Sequence, residues 1–139
     1  MAPVNEELLA LFLRAPITGY IGQQLTACDA GMAEIHLPHK RELEQSFGIT
    51  HGGLVATIAD TAGFFAAASL AGANLATVEF KINLVAPARN EALHAKGTVV
   101  HRGGRLSVCQ VTVTSQSGTI VALAQATYTT IGSASPASP

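Results

Sequence analysis

One long apolar segment with a single charge constrains this chain most. Between residues 52 and 78 the only charged side chain is that of Asp60. From Leu54 to about Ala71 the residues would be apolar on every side of a helix, and Gly72 is a typical helix terminator. A carboxylate left ionised and unpaired in such surroundings costs several kcal/mol. The segment therefore predicts a long buried helix at the centre of the fold, with one carboxylate that has a function.

The same segment is long enough to span a bilayer, but its composition argues against insertion. Asp60 lies near its middle, where a charged residue costs roughly 2.5–3.5 kcal/mol on insertion scales. Many of the other residues are only Ala, Gly or Thr, and basic anchors are missing from the ends. We therefore predict the core helix of a soluble protein, with no membrane partner.

The flanking sequence predicts one more helix and six strands. Residues 6–14 have helical spacing behind Asn5 as N-cap, and this helix should end before Pro16. Alternating or short apolar runs predict strands over residues 20–26, 33–37, 78–84, 93–101, 105–115 and 119–131. An antiparallel sheet wrapped around the long central helix, an α+β fold, satisfies this order in a single domain over residues 1–131. The tail, residues 132–139, is predicted to be disordered.

Composition excludes several functional classes. Only 12% of the 139 residues are charged and the net charge is −1, so the chain lacks the basic surface of a nucleic-acid-binding protein. The two cysteines are expected to be free thiols, and the histidines have no metal-ligand spacing. The N-terminus does not resemble a signal peptide, which favours a cytoplasmic location. The low charge and an open edge strand favour burial of surface in a homodimer.

A spaced motif surrounds the start of the long helix. Gln45 lies six positions before the histidine of His51-Gly52-Gly53, and Asp60 lies nine positions after it. This pattern resembles the hotdog-fold acyl-CoA thioesterases of the phenylacetate-pathway (PaaI-like) group, over roughly residues 18–131. The resemblance implies a hotdog fold whose strands pair across a dimer. It also implies hydrolysis of acyl-CoA to a free acid and CoA, with no metal or redox cofactor; coenzyme A is part of the substrate.

The resemblance also assigns roles to the motif. The Gly52 N–H would donate to the oxyanion, and Asp60 would be the nucleophile or the general base. Gln45 would orient the carbonyl or the water, and His51 would brace the turn. An alternative for His51 is a helix-entry histidine bonded only to backbone. For Asp60 the alternative is a carboxylate that merely accepts hydrogen bonds from Thr57, Thr61 or Thr77 in a dimer interface.

Thr77 fits a Ser or Thr that recurs after the helix in some family members, although packing alone would also explain it. Substrate contacts are expected from Gly53, which removes a Cβ beside the oxyanion site, and from Thr61 and Phe64. Three arginines are candidates for the phosphates of coenzyme A, or are solvated turn residues: Arg89, Arg102 and Arg105.

Helix geometry separates the two central groups. Asp60 lies eight residues beyond Gly52, which is roughly 12 Å along a helix at about 1.5 Å per residue. Both groups must come within about 3 Å of one thioester, so one chain is not expected to supply both. We predict a homodimer, with tetramers expected, in which each site takes Gly52 from one copy and Asp60 from the other.

The predicted activity is hydrolysis of an aryl- or medium-chain acyl-CoA. Two alternatives remain open. One is a non-catalytic module that binds or senses acyl-CoA. The other is a hydratase or dehydratase on the same fold.

Overall fold

The computed structural model describes residues 4–132. Two helices come first, followed by two strands, a short 3-10 turn, the long helix and four further strands. Their bounds are α1 Glu6–Arg14, α2 Pro16–Ile21, β1 Gln24–Asp29, β2 Met32–Leu37, the 3-10 turn Arg41–Leu43, α3 Gly52–Ala71, β3 Leu75–Leu84, β4 Leu93–Arg102, β5 Leu106–Ser115 and β6 Ile120–Thr130.

The strands form one antiparallel sheet around α3. Its six strands lie in the order β1-β2-β4-β5-β6-β3. α3 contacts every one of them, and the side chains between helix and sheet form one hydrophobic core. The predicted hotdog arrangement, a sheet wrapped around a central helix, is confirmed.

Two glycines allow α3 to lie close to the sheet. A Cβ at Gly97 on β4 would lie 2.7 Å from the carbonyl oxygen of Ala62. A Cβ at Gly63 on α3 would collide with the phenol oxygen of Tyr128 on β6. These contacts leave no room for a larger residue unless the helix or the tyrosine moves.

The segment before β1 differs from the prediction. Residues 16–21 form α2, so a strand over residues 20–26 is wrong in its first part, and β1 begins only at Gln24. Pro16 ends α1 but can also begin a helix, because the first helical residue needs no N–H partner. α2 then ends at Gly22, whose φ of 80° is left-handed.

The sequence predicted that α3 would be buried on all sides, but in the single chain it is not. One of its faces is partly or fully exposed and includes Gly53, Thr57, Asp60, Thr61 and Phe64. Within the described residues α3 is the one helix long and apolar enough to cross a bilayer. Half of its most apolar stretch is buried inside the protein. Its contacts with all six strands identify it as the core helix.

β3 is an edge strand with one hydrogen-bonded neighbour, β6. It carries exposed apolar side chains, with Val78 56% and Leu84 53% exposed. This edge lies beside the open face of α3, and the hydrogen bond from Thr77 to Asp60 joins the two. At the C-terminus Gly132 lies in a turn, and the rest of the predicted tail falls outside the described residues.

Candidate active site

Asp60 lies on the open face of α3, and side chains of the sheet donate hydrogen bonds to its carboxylate. Oδ1 accepts hydrogen bonds from the Thr77 hydroxyl at 3.0 Å and from the Tyr128 phenol at 3.0 Å. Thr77 and Tyr128 are register partners on β3 and β6, so their side chains leave the same face of the sheet. Thr57 and Thr61 instead donate to helix carbonyls one turn back. Of the three threonines considered as partners of Asp60, only Thr77 is one.

Tyr128 is a site residue that sequence reasoning missed. It is 0% exposed, and its phenol oxygen also lies 2.9 Å from the backbone oxygen of Asp60. Burial raises the pKa of Tyr128, and the negative charge of Asp60 raises it further, so the phenol remains a protonated donor. One signal was available: Tyr128 lies at an inward position of β6, where a buried tyrosine needs a hydrogen-bond partner.

Asp60 opens onto an apolar cavity of about 400 Å³, here called the Asp60 cavity. Its wall combines α3 with the N-terminal helices and the start of β3. The lining side chains include Leu11, Phe12, Ile17, Thr61, Phe64, Phe65 and Leu75. Among the residues that the structure describes, Asp60 is the only ionisable one in this lining. Thr61 and Phe64, two of the residues expected to contact substrate, thus line the same cavity as Asp60.

At the start of α3, the N–H groups of the two glycines differ in their hydrogen bonding. His51 is the N-cap, and its Nδ1 accepts the Gly53 N–H at 2.9 Å. The Gly53 N–H is therefore already bonded to the His51 ring. Within residues 4–132 the Gly52 N–H has no hydrogen-bond acceptor, as expected for the first residue of a helix. His51 bonds to backbone and braces the turn, leaving Gly52 as the available donor.

Gln45 lies beside Gly52. Both line a second cavity of about 190 Å³, here called the Gly52 cavity, together with Leu84 at the end of β3. The Gln45 side-chain oxygen accepts the Phe47 N–H, so the amide nitrogen is the group left to donate. The wall of the Gly52 cavity therefore includes one donor from backbone, the Gly52 N–H, and one from the Gln45 side-chain amide.

Gly52 and Asp60 line different cavities of the same chain. Thr77 holds Asp60 at one end of β3, whereas Leu84 contacts the Gly52 region at the other end. A single chain does not bring the donor and the carboxylate to one point.

The three arginines lie in different places. Arg89 donates to the Phe47 backbone oxygen at 3.3 Å, next to the loop that holds Gln45. Arg102 and Arg105 are exposed around the β4–β5 turn and line neither cavity. Only Arg89 is therefore placed near a site residue within one chain.

The cysteines are structural. Cys28 and Cys109 are buried and donate to the α3 carbonyls of Phe65 and Gly63. Burial raises the pKa of each thiol to about 11, so neither is a thiolate nucleophile at neutral pH. In the described part of the chain, no group of three His, Cys, Asp or Glu side chains could hold a metal ion.

Known proteins are similar to this chain in sequence and in fold. The family model described as thioesterase superfamily matches residues 47–122. A thioesterase family protein from Silicibacter pomeroyi is 32% identical, with 88% of this chain and 93% of that chain covered and a TM-score of 0.82. The E. coli PaaI protein from the phenylacetic acid degradation operon is 25% identical, with 88% and 89% covered and a TM-score of 0.81.

A protein of Halobacterium salinarum that is named as a candidate esterase is 28% identical over 110 residues, which cover 74% of this chain and 72% of that protein. The family match spans more than half of the chain and includes Gly52, Asp60 and Thr77. The chain belongs to the thioesterase superfamily, a family of thioester hydrolases.

Proposed function

We propose that this protein is an acyl-CoA thioesterase in which Asp60 is the nucleophile or general base and the Gly52 N–H is the oxyanion donor. One observation carries the proposal: within residues 4–132, the only ionisable side chain in the wall of an apolar cavity is a carboxylate fixed by two hydroxyl donors. A fixed carboxylate beside an apolar cavity suits the hydrolysis of an apolar acyl thioester.

The reaction takes acyl-CoA and water to a free acid and CoA. In the general-base form, Asp60 removes a proton from water while the water oxygen attacks the thioester carbonyl. The C–S bond then breaks, and the proton passes to the CoA sulfur. In the nucleophilic form, Asp60 forms a mixed anhydride as CoA leaves, and water hydrolyses the anhydride. In both forms the carbonyl oxygen becomes negative beside Gly52 at the positive end of the α3 dipole.

A symmetric dimer would unite the two half-sites. β3 has a free edge, with Thr77 beside Asp60 at one end and Leu84 beside Gly52 at the other. A two-fold axis near the middle of β3 would pair the two edges in an antiparallel manner. The Thr77 end of one copy would then lie opposite the Leu84 end of its partner. This dimer would cover the exposed Val78 and Leu84 side chains.

The cavities suggest how the substrate would lie. A dry cavity of about 150 Å³ holds benzene, so the Asp60 cavity of about 400 Å³ has room for an aryl or medium-chain acyl group. The carbonyl would lie between Asp60 and the partner's Gly52 and Gln45. Arg89, next to the Gly52 cavity, is the cation best placed for a phosphate of coenzyme A.

Replacing Asp60 by Asn tests the proposal, because the amide has nearly the same shape but neither the charge nor the basicity. We expect the release of thiol from benzoyl-, phenylacetyl-, hexanoyl- and decanoyl-CoA to fall at least about 100-fold in kcat. Binding of the same esters should survive. The matched control is Glu42→Gln, which changes an exposed carboxylate on the 3-10 turn and should leave turnover unchanged.

Other results identify the alternatives. A non-catalytic module would bind these esters, but the wild type would release no thiol. A hydratase would remove the enoyl absorbance of crotonyl-CoA without releasing thiol. Undiminished turnover by Asp60→Asn would overturn the assignment of Asp60.

A further inference from the structure

The two hydroxyl donors at Asp60 converge on a single carboxylate oxygen. Thr77 and Tyr128 both bond to Oδ1, each at 3.0 Å. Oδ2 accepts no hydrogen bond from any residue that the structure describes. A carboxylate rotates freely on an exposed side chain, but two donors on one oxygen fix which oxygen faces the sheet. The two oxygens of Asp60 are therefore not equivalent.

Tyr128 is built into the fold behind this carboxylate. Its ring lies in the core below α3, and it meets the Phe64 ring edge-to-face at a centroid distance of 6.0 Å. Its phenol passes Gly63, one helical turn beyond Asp60, where any Cβ would collide with the oxygen. A tyrosine can reach Asp60 because residue 63 is glycine. The same phenol lies 2.9 Å from the Asp60 backbone oxygen, so it contacts both the backbone and the side chain of this residue.

We propose that Tyr128 is a positioning residue that holds Oδ1 of Asp60 against the sheet, so that Oδ2 is the oxygen that attacks the thioester or accepts the proton from water. This inference rests on the proposed function. The negative charge is shared by both oxygens. The two hydroxyls stabilise it through their hydrogen bonds to Oδ1, and Oδ2 keeps its lone pairs free for the reaction.

The surroundings make Tyr128 a constant donor. The pKa of Tyr128 is raised, and the pKa of Cys109 is raised to about 11. Both groups therefore stay neutral across the pH range of an assay. In the described part of the chain, no ionisable residue other than Asp60 lines the cavity. A change in the acid side of the pH profile of kcat/KM, after a substitution at Tyr128, would therefore report protonation of the Asp60 carboxylate.

The test is Tyr128→Phe, which removes only the hydroxyl. We expect kcat on the best ester of the panel to fall about 10- to 100-fold, the effect of losing a hydrogen bond to a charged group. KM should change less than about twofold, because the phenol lies behind the carboxylate. The variant removes a donor that favours the charged form of the carboxylate, so the acid limb of kcat/KM should move to higher pH.

Two further variants separate positioning from a general structural role. Gly63→Ala keeps both Tyr128 and Asp60 but displaces the phenol, and it should move the acid limb in the same direction. Ser115→Ala removes another buried hydroxyl, at the far end of β5, which bonds to Ser117. It should leave the pH profile unchanged. If wild type turns over and Tyr128→Phe has an unchanged kcat and acid limb, the proposal is wrong.

The proposal remains testable if the wild type hydrolyses no ester, which would contradict the proposed function alone. In that case, the ¹³Cγ resonance of Asp60 is followed by NMR against pH in wild type and in Tyr128→Phe. A titration midpoint that moves to higher pH in the variant supports the proposal that Tyr128 fixes Oδ1 by a hydrogen bond. An unchanged midpoint overturns it.

Discussion

At the scale of single residues, the first turn of α3 shows how adjacent glycines differ in their hydrogen bonds. The His51 ring occupies the Gly53 N–H, and a Cβ at Gly53 would press on that ring at 3.0 Å from Nδ1. Gly52 lies one position earlier, and its N–H remains available. The histidine thus occupies one of the two adjacent amides and leaves the other without an acceptor among the described residues. The proposed role for the Gly52 amide can be tested without disturbing the helix.

Gly52→Pro removes the N–H and adds ring carbons, of which the Cβ is matched in the alanine control described below. Proline is tolerated at the first helical position, and His51 before it has φ −58° and ψ 132°, a conformation that suits a residue preceding proline. We expect kcat to fall about 10²- to 10³-fold, as for the loss of one oxyanion donor, with a smaller change in KM. Steady-state kinetics on the acyl-CoA panel measures this.

The control is Gly52→Ala, which keeps the N–H. Its Cβ would lie 2.7 Å from Cδ1 of Leu84, the end of an exposed and flexible side chain that can move. The alanine variant should therefore retain far more activity than the proline variant. Equal activities in the two variants would show that the N–H is not the donor.

At the scale of elements, the fit between α3 and the sheet depends on Gly97. A Cβ there would meet the backbone carbon and oxygen of Ala62 at 2.7 Å and the nitrogen of Gly63 at 2.9 Å. Neither backbone group can rotate away, so the whole helix must shift. We expect Gly97→Ala to lower the free energy of unfolding by about 1–3 kcal/mol, the usual cost of overpacking.

Thermal unfolding followed by circular dichroism measures that loss, with Gly104→Ala as the control. Gly104 lies in the exposed β4–β5 turn, where an added Cβ would meet nothing within 4 Å. The Gly104 variant should melt close to wild type. A Gly97 variant that melts at the same temperature would show that α3 is not packed against β4 as described.

Much of the fold could be predicted from the sequence because its periodicity is strong. Up to Gly72 the segment is continuously apolar, and after it apolar and polar residues alternate with a period of two. This change defines α3 and the four strands that follow it. α2 could not be predicted this way. It is only six residues long, and Pro16 is equally compatible with the end of one helix and the start of the next.

The site was predictable only where residues are linked through a motif. Gln45, His51, Gly52 and Asp60 are close in sequence at fixed intervals, so their pattern can be recognised. Tyr128 is 68 residues from Asp60, and the pairing of β3 with β6 brings it there. An inward tyrosine predicts that a hydrogen-bond partner exists, but only the register of the strands identifies that partner.

At the scale of the whole molecule, the separation of Gly52 and Asp60 makes the assembly itself testable. Each site of the proposed dimer takes Gly52 from one copy and Asp60 from the other. In a heterodimer of Asp60→Asn with Gly52→Pro, one site receives both defects. The other site receives an intact Gly52 from the first chain and an intact Asp60 from the second.

Mixing the two inactive variants should therefore restore activity. Random exchange of equal amounts makes half of the dimers mixed, with one intact site in two, so about a quarter of wild-type activity is expected. The variants are unfolded and refolded together, and thiol release is compared with that of each variant refolded alone. If both groups acted within one chain, every site would still carry one defect and the mixture would stay inactive. Recovery of activity requires that the two half-sites of one chain serve different active sites.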